Sequence, residues 1–147
     1  MPVSAEFARS NRTQTERLRN LARSLTPEEM RRRLPNGWTV SAALAHVAFW
    51  DRHRIILMRK WAAGQEATGA YDGNVFNDAA APMWELIPPD RAAEFAVKTA
   101  EEVDALLLEL SDDVIREALG RPDAPNLNRG IHREGHLDVI EKALARR

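Results

Sequence analysis

Three histidines, His46, His132 and His136, are the residues of this chain whose type and spacing suit chemistry best. They are three of only four histidines in 147 residues, and they lie in two segments with the periodicity of amphipathic helices. His132 and His136 are four residues apart, which places their Cβ atoms about 5 to 6 Å apart on one helical face, so both rings can reach one ion. If His46 faces the same interior, the three imidazoles predict a metal site.

The helical angles indicate that all three histidines face inward. His46 shares an apolar stripe with residues at helical spacing, namely Ala43, Val47, Trp50, Leu57 and Trp61. Four residues of the last segment fall within about a third of a turn of one another, namely His132, His136, Val139 and Ala143. Carboxylates occupy the opposite side of that segment. We therefore expect the histidine pair to face the core.

Other chemistry is less well supported. His53 follows His46 by seven residues, which puts it roughly 10 Å further along the helix axis, too far to share an ion. Glu134 is displaced from the face of the histidine pair, so the zinc-protease arrangement is absent. Three carboxylates sit at no spacing that pairs them for acid and base catalysis: Asp51, Asp104 and Glu141. The four tryptophans are interpreted as core and loop anchors: Trp38, Trp50, Trp61 and Trp84.

The composition limits what such a site can serve. A chain of 147 residues predicts a single domain over residues 1–147 with a sizeable core. The 21 basic and 22 acidic residues give a formal charge of −1, which recruits neither nucleic acid nor an anionic membrane. There is no cysteine, so disulfides, thiolate ligands and a cysteine nucleophile are excluded. The N-terminal segment lacks the apolar stretch of a signal peptide, which predicts a cytoplasmic protein.

Helical patterns separated by turn residues run through the whole chain. Four long helices are predicted, from Ala5 to Leu25, from about Thr39 or Ser41 to Ala63, from Arg91 to Leu110, and from about Asn128 to the C-terminus. Short helices are expected from Thr26 to about Arg32, over Asn74 to Leu86, and from Ser111 to Leu119. Phe95, Val103 and Leu107 belong to the predicted buried stripe of the third long helix. The predicted fold is an all-α four-helix bundle with a long crossover after the second long helix.

The chain resembles the DinB-like superfamily. The resemblance rests on a loop with Gly37, Trp38 and Thr39, on His46 followed by Trp50 and Asp51, and on the histidine pair of the last helix. It covers essentially the whole chain and includes the long crossover, with a region around Asn77 and Trp84 where related proteins often carry an Asn. The resemblance implies a bundle in which His46, His132 and His136 hold a divalent metal ion such as Zn, Ni, Fe or Mn, commonly in a dimer. It suggests Asn77 as a substrate-binding residue, and Trp50, one turn beyond His46 on the same helix, is the second candidate.

The resemblance also sets the functional hypotheses. Characterised relatives include transferases and isomerases that use low-molecular-weight thiols such as mycothiol or bacillithiol, and others have no known reaction. Three neutral imidazoles leave an ion at least one open position, which suits catalysis. We therefore expect a metal-dependent thiol S-transferase that acts on a small-molecule thiol and an electrophile. The activity of the maleylpyruvate isomerases is not expected, because no C-terminal domain follows the bundle. Two alternatives stay open: a metal-binding or stress-associated protein without turnover, and a structural helical homodimer with a vestigial site.

Overall fold

Seven α-helices make up almost all of the regular secondary structure in residues 2–145, the part of the chain that the computed structural model describes. In chain order they are α1 (Ala5–Ser24), α2 (Pro27–Met30), α3 (Val40–Ala62), α4 (Gly73–Trp84), α5 (Pro89–Glu109), α6 (Asp112–Leu119) and α7 (Arg129–Ala143). Within those residues no strand forms, and one antiparallel bridge pairs Arg33 with Thr39. No helix in this part of the chain is both long enough and apolar enough to cross a membrane. The fold is the all-α bundle that the sequence predicts.

The four long helices α1, α3, α5 and α7 form a closed ring. Helix α3 packs against α5 and α7, and α1 packs against the same two helices from the other side. Arg52 of α3 is paired with Glu102 of α5, while the start of α3 packs on the start of α5, so these two helices run in the same direction. Parallel neighbours need a long connection, and residues 63–88 supply it with α4 inside. The long crossover is thereby confirmed.

Helix α3 is the central element of the bundle. All residues from 40 to 48 are buried, because this end of the helix is covered on every side. Alanines occupy many of the facing positions of α3 and α5, which lets the two backbones approach closely: Ala43 and Ala48 on α3, and Ala93, Ala96 and Ala100 on α5. A second apolar cluster, with Ile55, Met58, Val103 and Leu107, holds the other half of the same helix pair. This packing fixes the position of His46.

Capping residues define where the site-bearing helices begin. Thr39 starts α3 by accepting a hydrogen bond from the backbone N–H of Ala42 at 3.0 Å. Gly37 precedes it with φ +88°, a backbone conformation that side-chain-bearing residues rarely adopt. Asn128 starts α7 by accepting from the N–H of Ile131 at 3.4 Å. Both helices therefore start close to the positions that their capping residues predict.

The predicted boundaries agree with the structure to within a few residues, and Val103 and Leu107 of α5 are buried as predicted, but one member of that stripe was wrong. Phe95 is 48% exposed, so it does not belong to the buried stripe of α5. The inward face of that helix is instead formed by small residues near its start, because close packing on α3 leaves no room for a phenyl ring. The last helix was predicted to reach the C-terminus, but α7 ends at Ala143. Positions 146 and 147 of the predicted helix lie outside the described residues.

Candidate metal centre

The three histidines that the sequence singles out meet at one point between α3 and α7. Nε2 of His46 lies 3.1 Å from Nε2 of His132 and 3.0 Å from Nε2 of His136. The remaining pair of Nε2 atoms, in His132 and His136, is 3.2 Å apart. His46 is buried and the other two are half-buried. The described residues thus contain a group of three ligand atoms that could hold a metal ion, and His53 is not part of it.

This triangle of nitrogens has the dimensions of a metal site. With sides of 3.0 to 3.2 Å, its centre lies about 1.8 Å from each nitrogen, slightly less than the roughly 2.0 to 2.1 Å of a zinc–imidazole bond. The triangle is therefore close to the size that a divalent ion would need. Three neutral imidazoles are the ligand set of catalytic zinc centres, which keep a further position open. The residues present fit a divalent ion.

The protein keeps these imidazoles uncharged. Burial lowers the pKa of His46 to about 3, and positive charge on His136 acts in the same direction. Burial also lowers the pKa of His136 to about 4 and that of His132 well below its ordinary value, and in both rings the guanidinium of Arg129 adds to the effect. Neutral imidazole is the form that ligates metals. All three imidazoles are therefore uncharged at neutral pH.

The helical angles predicted that the histidine pair faces the core, but the pair does not occupy the most buried face of α7. Val139, which was placed on the inward face, is 43% exposed. The fully buried positions of this part of α7 are Arg133, Leu137 and Ile140, and the two histidines lie beside that face. The prediction was wrong because a periodicity argument assigns an arginine to solvent, whereas Arg133 is buried with charged partners.

Those partners form an ion-pair network beneath the histidines. Arg133 is 0% exposed and lies 3.1 Å from Oδ2 of Asp51 and 2.9 Å from Oδ1 of Asp104. Arg129 donates from Nε to the other oxygen of Asp51 at 2.7 Å. Asp51 and Asp104 therefore act as structural counter-ions, consistent with the absence of an acid–base spacing in the sequence. Because Asp51 is on α3, the network clamps the two helices that carry the histidines.

Arg129 also touches a histidine directly. Its Nη2 lies 3.0 Å from Nδ1 of His132. Since a guanidinium only donates, Nδ1 accepts in this arrangement, and a neutral His132 then carries its proton on Nε2. That proton points into the histidine triangle, so it must leave Nε2 when an ion binds there.

A cavity of about 340 Å³ opens above the histidines. Trp50 and Asn77, the two candidate substrate-binding residues from the sequence, both line it. The indole Nε1–H of Trp50 donates to Oδ1 of Asn77 at 2.8 Å, which ties α4 to α3 at the cavity wall. Most of the remaining wall is aromatic and cationic, formed by Trp38, Tyr71, Arg54 and Arg129. Among the predicted anchors, Trp50 and Trp84 are buried, whereas Trp38 is a half-buried cavity wall.

Comparison with known families agrees with this architecture. The model of the DinB superfamily matches residues 11–134. The chain belongs to the DinB superfamily. The match includes His46 and His132 and ends two residues before the third histidine of this DinB protein. Comparison with curated proteins and with solved structures gives no significant match.

The sequence reasoning missed the arginines of this DinB site. Arg129 and Arg133 each precede a site histidine by three residues, so each lies next to that histidine on the helix surface. This repeated Arg-x-x-His spacing was the available signal. The sequence signal for Arg54 was weaker. Most other charged residues of α3 are more exposed than Arg54, and nothing in the sequence distinguishes Arg54 from them.

Proposed function

We propose that this protein is a divalent-metal-dependent transferase that ionises a small thiol at the three-histidine centre and couples it to an electrophile. The observation that carries the proposal is the triangle of neutral imidazole nitrogens, 3.0 to 3.2 Å on a side, at the base of an accessible cavity. A centre with three protein ligands keeps a position for a substrate, whereas purely structural zinc sites are closed by four.

The chain's own residues support thiol chemistry in three ways. There is no cysteine, so the sulfur nucleophile has to come from a cosubstrate. Arg54 and Arg129 line the cavity and create the positive potential that favours a thiolate over a thiol. Trp38 and Trp50 form apolar walls that limit the access of water to the reacting groups.

The reaction is a substitution at carbon. When bound, a divalent ion supplies Lewis acidity, which lowers the pKa of a thiol held at its open position. The thiol proton passes to solvent, the sulfur forms a bond to the electrophilic carbon, and the leaving group departs with the electrons of the broken bond. The histidines stay neutral throughout, since burial keeps the pKa of His46 and His136 at about 3 and 4.

The test is conjugation of small thiols to monochlorobimane, in which a carbon–sulfur bond forms and chloride leaves. Protein purified without a polyhistidine tag is loaded in turn with Zn, Ni, Mn or Fe and assayed with several cellular thiols. We expect metal-dependent conjugation with at least one ion. Stoichiometric metal binding without any conjugate would contradict a transferase and favour a binding protein.

A matched pair of histidine variants separates the centre from general effects. His136→Ala removes one of three ligands, so it should lose the ion, the conjugating activity and the rise in melting temperature that the ion confers. His53→Ala removes an imidazole of the same helix bundle that is not in the ligand group and should retain the ion and the rise in melting temperature. Equal metal content in the two variants would exclude the proposed ligand set.

A further inference from the structure

The interior beside the metal centre carries one more positive than negative side chain. Three guanidinium groups lie there, those of Arg54, Arg129 and Arg133, each at most 3% exposed. The ion pairs that reach them come from two carboxylates, Asp51 and Asp104, and these bind only Arg129 and Arg133. Among residues 2–145, Arg54 has no ion pair. A buried charge without a counter-ion is costly, so this position calls for an explanation.

The polar partners of Arg54 are all neutral. Its Nη2 donates to the hydroxyl of Tyr71 at 2.9 Å, and its Nη1 lies 3.2 Å from Nδ1 of His53. Burial lowers the pKa of His53 to about 4, so that ring accepts as a neutral imidazole at physiological pH. The third partner is the backbone carbonyl of Asn126, at 3.4 Å from Nε. These contacts orient the guanidinium but leave its charge uncompensated.

A second arginine adds to the positive charge at the same place. Nη1 of Arg129 lies 3.5 Å from the Asn126 carbonyl oxygen that Arg54 also contacts. Burial lowers the pKa of Arg129, and the nearby charge of Arg54 lowers it further. Both guanidinium groups line the cavity above the histidines. Two neighbouring cations, of which only Arg129 has an ion pair, create a strong local attraction for an anion.

The same cavity wall offers a surface for a planar group. Trp50 and Tyr71 lie with ring centroids 4.6 Å apart at an interplanar angle of 30°, and the Arg54 guanidinium carbon is 5.6 and 5.4 Å from their centroids. The cation–π contacts explain how Arg54 is held, but an aromatic ring does not neutralise a full charge. A carboxylate does, and the guanidinium fork matches its two oxygens.

We propose that Arg54 is the recognition residue for a carboxylate on the small molecule that enters the metal centre, so that the substrate class is a small organic acid. This proposal rests on the proposed function, because the bound acid is a substrate only if the protein is a transferase. The carboxylate belongs either to the thiol or to the electrophile. Binding of the anion itself requires neither an ion nor turnover, which makes the two proposals separately testable.

The test compares benzoate with benzamide, a neutral molecule of nearly the same shape, by tryptophan fluorescence, because Trp38 and Trp50 line the cavity. Metal-free protein is used first, so that coordination of the carboxylate to an ion does not contribute. We expect benzoate to bind at least about 10-fold more tightly, the order of magnitude of one charged hydrogen-bonded pair. Arg54→Gln should abolish that preference. Arg52→Gln, an exposed arginine two residues earlier with side-chain exposure of 43%, should preserve it.

If Arg54→Gln does not fold, which its circular dichroism spectrum would show, it cannot report on binding. A second variant therefore provides an independent test. Tyr71→Phe removes the hydroxyl that accepts a hydrogen bond from Nη2 of Arg54, and Tyr71 is 40% exposed. It should bind benzoate at least as tightly as the unaltered protein. Equal affinity for benzoate and benzamide in the unaltered protein, a preference that survives Arg54→Gln, or a loss of binding in Tyr71→Phe would each overturn the proposal.

Two further comparisons identify the source of the carboxylate in metal-loaded protein. If the thiol carries it, Arg54→Gln weakens binding of mercaptoacetate and leaves 2-mercaptoethanol unchanged. If the electrophile carries it, Arg54→Gln slows conjugation of 4-(chloromethyl)benzoate and leaves benzyl chloride unchanged, with chloride leaving in both reactions. Absence of conjugation together with Arg54-dependent benzoate binding would refute the transferase while retaining the anion site.

Discussion

Nη2 of Arg129 lies 3.0 Å from Nδ1 of His132, so a guanidinium stands behind one of the three candidate metal ligands. Metal-bound histidines usually donate this second N–H to a carboxylate, a carbonyl or water, which makes the ring a better ligand. In this protein the guanidinium of Arg129, which is a hydrogen-bond donor with a full positive charge, occupies the place of that acceptor. The arrangement favours a weakly held, exchangeable ion over a tightly bound structural one.

Arg129→Gln should therefore tighten metal binding. The substitution removes the positive charge and offers an amide oxygen that can accept from Nδ1–H, so the dissociation constant should fall roughly 10-fold, within the range known for partners of metal ligands. Competition with a chelator of known affinity measures it. Unchanged or weaker binding would indicate that the guanidinium turns away from His132 when the ion enters.

Asp51→Asn should destabilise the fold more than any exposed acidic change. Asp51 is fully buried and its two oxygens hold Arg129 and Arg133, so its loss leaves two buried cations short of a partner, at a cost of about 3 to 5 kcal/mol in the free energy of unfolding. Asp138→Asn removes a carboxylate of α7 with side-chain exposure of 62% and should cost less than about 1 kcal/mol. Urea unfolding of both variants provides the comparison, and equal midpoints would refute a clamping role for Asp51.

The stability of the metal-free protein should decline as the pH falls below about 6.5. The pKa values of His46, His53 and His136 are lowered to about 3, 4 and 4, so below their ordinary pKa the unfolded chain binds more protons than the folded one. Each such imidazole costs roughly 1.4 kcal/mol per pH unit between its two pKa values. Asp104, whose pKa burial raises, acts in the opposite direction and reduces the slope.

Urea titrations between pH 7.5 and 4.5 measure this slope. His136→Ala removes one of the contributing imidazoles, so its stability should depend less steeply on pH over the same range. A free energy of unfolding that is constant across the range, or a variant with an unchanged slope, would show that the histidines titrate alike in both states.

The two glycines inside α7 should respond in opposite ways to alanine. A Cβ at Gly130 would lie 2.6 Å from the carbonyl carbon of Ser10 and would also collide with the Ser10 hydroxyl, so Gly130→Ala must push α1 and α7 apart, at a cost of about 1 to 3 kcal/mol. A Cβ at Gly135 would meet nothing within 4 Å, so Gly135→Ala should stabilise the helix by up to about 1 kcal/mol. Thermal unfolding distinguishes them, and similar melting temperatures would contradict the close approach at Ser10.

Much of the fold followed from local sequence features. Thr26, Thr39 and Asn128 each begin a helix next to the predicted position, because capping and periodicity depend only on neighbouring residues. Bringing His46 to the histidine pair needed the family resemblance as well as the helical angles. The homodimer, the single domain and the cytoplasmic location stay predictions.

What the sequence could not supply was the inward-facing charge. Arg54, Arg129 and Arg133 look like solvent-exposed cations, since hydropathy assigns charged side chains to the surface. Arg129 and Arg133 are buried because Asp51, 78 and 82 positions before them, faces them across the bundle, whereas Arg54 lies on the same helix as Asp51 and has no ion pair among the described residues. Only the packing of α3 against α7 shows that pairing. The wrong face assigned to Val139 has the same origin.

The division of the three ligands between two helices has a consequence for how an ion arrives and leaves. His132 and His136 lie on α7, whereas His46 is contributed from α3, so an ion held by all three would join the two helices. The contribution of His46 would then depend on how firmly α7 is docked against α3. Local opening of α7 would separate the histidine pair from His46 and so favour release of the ion. Free metal concentration should accordingly govern the hydrogen-exchange protection of the α7 amides.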